Sequence, residues 1–318
     1  MAKQETRVSA RITFKADKVM ARMKKCLIKN DKREFVKYPA VEVETGLVVA
    51  TDGYALAAHR LQDYHCELSE NAVLGDMVVL PVEVLQMKGM VTAVVTNNGF
   101  QTITTATDEK GATAQVFWSF RYPNWRVVFP TMTGWPFDID AKAWDEAVKE
   151  LLPKIEKMGD VQAVHLYADK DSKTIEFSYD NDYPDGQGST TVPVKWMPHR
   201  MGVGFDANRL RNVLALEPDT LRFTDNTRAV IMHNDETLAL IMPLNIEVDG
   251  KPMVEVPGRE RKAFKLAEWV AGDGAAARND GAARNVDITK RRNVETAKTS
   301  ALSLADRLRQ ALLARLAA

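Results

Sequence analysis

Lys18, Arg22, Lys25 and Lys29 recur at steps of four, three and four residues, a spacing that gathers side chains on one face of an α-helix. Val19, Met23, Cys26 and Leu27 fall on a neighbouring apolar face, so such a helix packs one side on a sheet and offers cations on the other. A stripe of this kind neutralises phosphates without reading base sequence, and its affinity falls steeply with salt. A later helical stretch adds Arg209 and Arg211. A nucleic acid is the ligand this chemistry suits. Catalytic chemistry finds no comparable pattern. There is no Gly-x-x-x-x-Gly-Lys-Ser/Thr phosphate loop, no Gly-x-Ser-x-Gly elbow and no paired-histidine metal helix. The histidines, His59, His65, His165, His199 and His233, are scattered, and Cys26 and Cys66 are too few for a disulfide framework or a four-cysteine zinc site. The expectation is a binding protein, not an enzyme, with no catalytic residue, metal or cofactor.

Charge is segregated although the whole chain is formally neutral. Lys15 to Lys37 holds nine Lys/Arg against three Asp/Glu, and Lys251 to Ala318 holds fourteen against eight. Between them, Tyr38 to Gly250 holds 17 basic and 31 acidic residues. An acidic body repels polyanions from most of its surface, so a confined basic element decides where one can sit. At 318 residues and 45% hydrophobic content there is room for two domains and a tail. No long apolar run and no apolar leader is present, which predicts a soluble, cytoplasmic protein with no membrane partner.

One supersecondary unit recurs four times. Alternation predicts a strand over Val8 to Phe14, helical periodicity covers Asp17 to Ile28, and extended runs follow at Ala40 to Glu44, Leu47 to Ala50 and Tyr54 to Arg60. The second copy reads Met77 to Leu80, a helix from Pro81 to near Gly89, then Val91 to Thr96, Phe100 to Thr105 and Ala112 to Trp118. The third has a strand at Trp135 to Ile139, a helix at Ala141 to Lys157, then Ala163 to Ala168, Thr174 to Tyr179 and Thr190 to Val194. The fourth has Gly202 to Phe205, a helix at Ala207 to Leu216, then Thr220 to Thr224, Ala229 to His233 and Leu238 to Met242. The aspartates Asp180, Asp182 and Asp185 fall among Asn, Pro and Gly and read as a solvated loop. Past Leu244 the pattern changes. Arg259 to Val270 suits a short helix, Ala271 to Asp287 has a flexible composition, and Thr296 to Leu316 suits an amphipathic helix. Strand, helix and three strands, repeated near every sixty residues, make paired half-domains of an α+β fold.

Three segments narrow the reading. Thr51-Asp52-Gly53-Tyr54-Ala55-Leu56-Ala57 carries Asp-Gly between two apolar runs, a strong hairpin signal. With Tyr122-Pro123-Asn124-Trp125-Arg126-Val127-Val128-Phe129-Pro130 and Ile241-Met242-Pro243-Leu244, in that order and at those separations, it resembles the bacterial replicative sliding clamp, the beta subunit of DNA polymerase III. The resemblance runs from about Ile12 to Leu244 and leaves the family's first domain unrepresented. It implies the DNA-clamp fold, with clamp domains at residues 1–120 and 121–250 and a tail at 251–318. It implies helices facing a channel around double-stranded DNA, and a processivity factor that tethers a DNA polymerase and clamp-loader-like proteins.

The partner-peptide pocket implied by the resemblance comprises Thr51, Gly53, Tyr54, Leu56, Val128, Pro130, Ile241, Met242, Pro243 and Leu244. Apolar walls with few polar anchors suit a peptide groove, and methionine suits one that takes several partners. The chain departs from the family at Tyr54-Ala55, where His-Arg is usual, and at Leu244-Asn245-Ile246, where the family ends Met-Arg-Leu. A six-domain ring built from chains of this size implies a homotrimer. The alternative is a non-encircling clamp-like protein that binds or inhibits replication partners through the same pocket.

Overall fold

The computed structural model describes residues 7–69, 75–97, 101–129, 135–139, 163–169, 174–179, 188–196, 201–223, 229–244 and 266–271, together with helical Glu146, Lys149, Glu150 and Pro153. Residues Met1–Gly272 form one compact unit and Asp273–Ala318 a second. Every element below lies within Met1–Gly272, and the units numbered below are the four repeats of the sequence pattern. The expected helix at 141–157 lies almost wholly outside the described residues, as do the 180–185 loop, the 272–287 stretch and the 296–316 helix.

The first unit opens with β1 (Arg7–Ala16). Asp17 then ends the strand and caps α1 (Lys18–Met23), its Oδ1 accepting from the Met20 N–H at 3.0 Å. The helix expected as far as Ile28 stops at Met23, giving way to a 3-10 turn at Lys24–Cys26 and extended backbone at Leu27. The cause is a competing bond: the Ile28 N–H donates to the Val36 carbonyl at 2.9 Å. Next come β2 (Ala40–Glu42), β3 (Leu47–Thr51) and β4 (Ala55–Arg60). The second unit has β6 (Met77–Val79), a 3-10 turn at Val82–Gln86 in place of the expected helix, β7 (Gly89–Asn97), β8 (Thr102–Asp108) and β9 (Thr113–Trp118). The third has β10 (Trp135–Ile139), β11 (Ala163–Asp169), β12 (Thr174–Tyr179) and β13 (Gly188–Trp196). The fourth has β14 (Met201–Asp206), α2 (Ala207–Leu214), β15 (Thr220–Phe223), β16 (Val230–His233) and β17 (Thr237–Ile241).

The units interlock by exchanging leading strands. β1 pairs with β7 and β6 with β2, while β10 pairs with β15 and β14 with β11, all antiparallel. Neither member of a pair has a complete sheet alone, so each half depends on its partner. Between the first and second units runs β5 (Gln62–Leu68), a strand absent from the sequence-level repeat, which pairs with the other edge of β1. Its polar composition hides it: only Tyr64 and Cys66 turn inward, onto the core. The result is a five-stranded sheet, β5-β1-β7-β8-β9, and a twelve-stranded one, β14-β11-β12-β13-β10-β15-β16-β17-β4-β3-β2-β6.

Strands β3, β4, β16 and β17 are buried on both faces, and their period of two assigns each side chain to one of two cores. Val48, Ala50, Ala55, Ala57, Ala239 and Ile241 face the helices, packing with Met20 and Met23 of α1 and Leu210 and Val213 of α2. Leu47, Val49, Leu56, Ala58, Leu238 and Leu240 face the other way, packing with Tyr122, Trp125 and Phe129. On this scaffold His233 is half-buried and accepts at Nε2 from Arg222 Nε at 3.1 Å. Burial, then the Arg222 charge, holds its ring down at about 4. A native histidine that resists protonation loses stability as pH falls, because the unfolded chain takes up the proton first. Stability should therefore decline from about pH 6.5 toward about 4. Urea titrations across that window should show a shallower decline in His233→Gln.

Candidate functional site

The hairpin between β3 and β4 is built by its own side chains. Asp52 Oδ1 accepts from the N–H groups of Tyr54 (2.7 Å) and Ala55 (2.6 Å). Thr51 Oγ1 accepts from the Gly53 N–H at 3.0 Å and donates to the Ala55 carbonyl at 2.7 Å. Gly53 sits at φ +89, the left-handed region that a side chain disfavours, and a Cβ there would lie 2.4 Å from Arg33 Nη1. Arg33 is itself oriented by Asp31 and donates to the Asp52 carbonyl at 3.2 Å.

An arginine from the fourth unit locks this turn. Arg209 Nε donates to Asp52 Oδ2 at 2.8 Å, and its guanidinium lies 4.3 Å from the Tyr54 ring centroid. Asp206 caps α2 by accepting from the Arg209 N–H at 2.9 Å, which places that side chain over the hairpin. The chain's closing segment arrives at the same point. β17 pairs with β4 in the register Leu240 to Leu56 and Ile241 to Ala55. The Met242 N–H then donates to the Tyr54 carbonyl, and the Leu244 N–H to the Gly204 carbonyl, both at 2.9 Å.

The crossing segment lies over the face of the sheet opposite the helices. Asn124 caps a 3-10 turn at Trp125–Val128, and Arg126 donates from Nε (2.9 Å) and Nη2 (2.7 Å) to the Glu42 carboxylate. Trp125 and Phe129 belong to the same apolar cluster as Leu56 and Leu240. Among the described residues eight large hydrophobic side chains are exposed. Four of them, Tyr54 (53%), Val127 (74%), Val128 (51%) and Met242 (42%), belong to the three segments. Tyr54 and Met242 meet at the hairpin, an exposed apolar pair of the kind that marks an interaction surface, while Val127 and Val128 are exposed on the crossing turn. Thr51, Leu56 and Ile241 are buried behind it, Pro243 and Leu244 are half-buried, Gly53 is exposed, and Pro130 lies outside the described residues.

The cationic residues divide. Lys18 and Lys25 are exposed on α1 and the turn after it, and Lys29 follows on a loop instead of a helix face. Arg22 pairs with Glu217 at 2.6 Å. α2 lies beside the 3-10 turn that follows α1, for Asn212 Nδ2 donates to the Lys25 carbonyl at 2.8 Å, so Arg211 on α2 is near that turn. Arg209 stands apart from it, engaged at the hairpin. No sequence signal links Arg209 to Asp52 across 157 residues. Cys26 is buried beneath, its thiol pushed up to about 12 by burial and then by the Asp52 charge. No group of His, Cys, Asp and Glu suited to a metal occurs among the described residues.

No family model matches the sequence, and no curated protein does. Solved structures do match. The DNA polymerase sliding clamp from Pseudomonas aeruginosa superposes with a TM-score of 0.55 at 18% identity, over 76% of this chain and 68% of that one. The C. crescentus beta sliding clamp gives 0.56 at 19% identity, over 77% and 67%. The P. aeruginosa DNA polymerase III subunit beta bound to griselimycin gives 0.57 at 18% identity, over 77% and 68%. The fold is that of a bacterial sliding clamp. At these identities the likeness is one of architecture, and the paired antiparallel sheets carry it.

Losing Arg209 leaves a buried carboxylate without its cation. Arg209→Ala should lower unfolding free energy by about 1–3 kcal/mol, and Gly53→Ala by about 1–2 kcal/mol through φ strain, both read as shifts in urea midpoint. An unchanged midpoint in both variants would show that the lock contributes nothing.

Proposed function

We propose that the chain is a sliding-clamp-like processivity factor that encircles or grips duplex DNA and tethers partner proteins through the hairpin surface. The observation that carries this reading is the meeting of the Thr51–Ala55 hairpin with the closing segment. Tyr54 and Met242 are exposed there and backbone-bonded to each other, on a clamp fold. A partner peptide would lay apolar side chains against Tyr54, Val128, Met242, Pro243 and Leu244. The proposed role is non-enzymatic. Among the described residues no helix is long and apolar enough to cross a membrane.

On the same reading Lys18, Arg22, Lys25, Lys29 and Arg211 contact DNA phosphates. Contacts that are few and partly screened by carboxylates suit a sleeve that slides, because tight base readout would arrest it. We further propose clamp domains at residues 1–120 and 121–250 and a head-to-tail homotrimer, which would complete a ring of six domains.

Retention on circular DNA, measured before and after linearisation, tests encirclement. Release on linearisation is expected, and equal retention would favour the non-encircling alternative. Replacing Lys18, Arg22, Lys25 and Lys29 together with Glu should abolish salt-dependent DNA association with an unchanged circular dichroism spectrum, since exposed substitutions change stability little. Val128→Asp with Met242→Asp should remove partner-peptide binding and leave DNA association intact. Light scattering that shows only monomer at tens of micromolar would overturn the trimer.

A further inference from the structure

The helix α3 (Leu266–Ala271) is seated on the body far along β4 from Tyr54. At six residues it is too short to be stable alone in water, so its helical form comes from where it lies. Three kinds of contact hold it. Trp269 Nε1 donates to the Asn234 carbonyl at 2.9 Å. Arg60, at the end of β4, donates from Nη2 to the carbonyls of Trp269 (2.8 Å) and Val270 (3.2 Å), placing a cation at the negative end of the helix. The same guanidinium lies 5.6 Å from the Trp269 ring centroid. Val270 is buried in the apolar cluster shared with Leu238 and Leu240, and Leu266 and Trp269 pack against it.

The receiving surface is built independently of this helix. Asn234 Oδ1 accepts from the Glu236 and Thr237 N–H groups at 3.0 and 2.7 Å, and its Nδ2 donates to the Glu217 carbonyl at 2.9 Å. That fixes the Asn234 carbonyl in place. The Arg60 N–H donates to the Glu236 carbonyl at 2.9 Å, which sets the base of the guanidinium arm. A preformed acceptor, a cation and an apolar floor, matched to leucine, tryptophan and valine on one helical turn, have the anatomy of a helix-docking groove.

We infer that this surface is a second peptide-docking site, separate from the hairpin, held shut by Leu266–Ala271 of the same chain and opened by a partner helix with the pattern Leu-x-x-Trp-Val. The covalent tether within one chain supplies an effective concentration of about 1 mM. Against an intrinsic dissociation constant of about 0.1 mM, that tether would weaken a competing peptide about tenfold. A modest intrinsic affinity thus keeps the site closed at rest and still lets a stronger ligand in.

A fluorescein-labelled synthetic peptide of residues 259–275, titrated with the full chain and read by anisotropy, tests this. Binding to Trp269→Ala should be about tenfold tighter than to the unaltered chain. Leu266→Asp, which also releases the helix without touching the groove, should give the same gain. Adding Arg60→Ala to either variant should remove it. Equal affinity for the unaltered chain and both released variants would overturn the inference, as would tight binding that survives Arg60→Ala. A fall in solution mass on Trp269→Ala would also overturn it, because the helix would then belong to a neighbouring copy.

Discussion

Both proposed peptide-binding surfaces hang on the pairing of β4 with β17. Five residue pairs, from Thr237 opposite His59 to Ile241 opposite Ala55, join strands that are 178 residues apart in sequence at the His59–Thr237 end. Both strands are buried on both faces, so the register is strongly constrained: a slip of one residue would send Ala57 and Ala239 to the aromatic side and Leu56 and Leu240 into the helices. One end of this ribbon carries the hairpin, Met242 and Arg209. The other carries Arg60, Asn234 and the docked helix. A single ladder therefore positions two surfaces at opposite ends of the same rigid element.

Polar groups stitch the ribbon to its surroundings. His59 is fully buried, with Nδ1 3.0 Å from Thr237 Oγ1 and Nε2 2.7 Å from Asp17 Oδ2. Asp17 uses its other oxygen to cap α1, so one carboxylate fastens a helix, an imidazole and, through it, the closing strand. Burial pushes the Asp17 carboxyl up, but the hydrogen bond and charge of His59, with the Met20 and Val19 N–H groups, hold it below the usual carboxylate range. Asp52 plays the corresponding part at the hairpin, satisfying two backbone donors with one oxygen and Arg209 with the other. A carboxylate that is buried, as Asp52 is, or half-buried, as Asp17 is, is costly unless paired, and both are paired.

The charge segregation takes on shape in the fold. Sequence spacing alone made Lys18, Arg22, Lys25 and Lys29 one helical stripe, but the helix ends at Met23 and Lys29 rides on a loop. What the fold adds is the neighbour: α2 lies beside the turn that follows α1, although 187 residues separate Lys25 from Asn212, and only packing could bring them within a hydrogen bond. Arg209 and Arg211 are two positions apart and so point to different sides of α2, as i and i+2 on a helix do.

The local chemistry was legible without coordinates. Asp-Gly between apolar runs specified the hairpin, and alternation located the strands of all four units because burial on one or two faces leaves a period-two signature. The polar edge strand β5 and the 3-10 turns escaped, since an exposed edge has little apolar pattern and a turn is decided by competing bonds such as that from Ile28 to Val36. Strand exchange, the approach of Arg209 to Asp52 and the seat for Trp269 were decided by tertiary structure alone. Each joins groups distant in sequence whose attraction depends on burial and orientation, and a residue's type records what it can bind but not which partner the packed chain will bring to it.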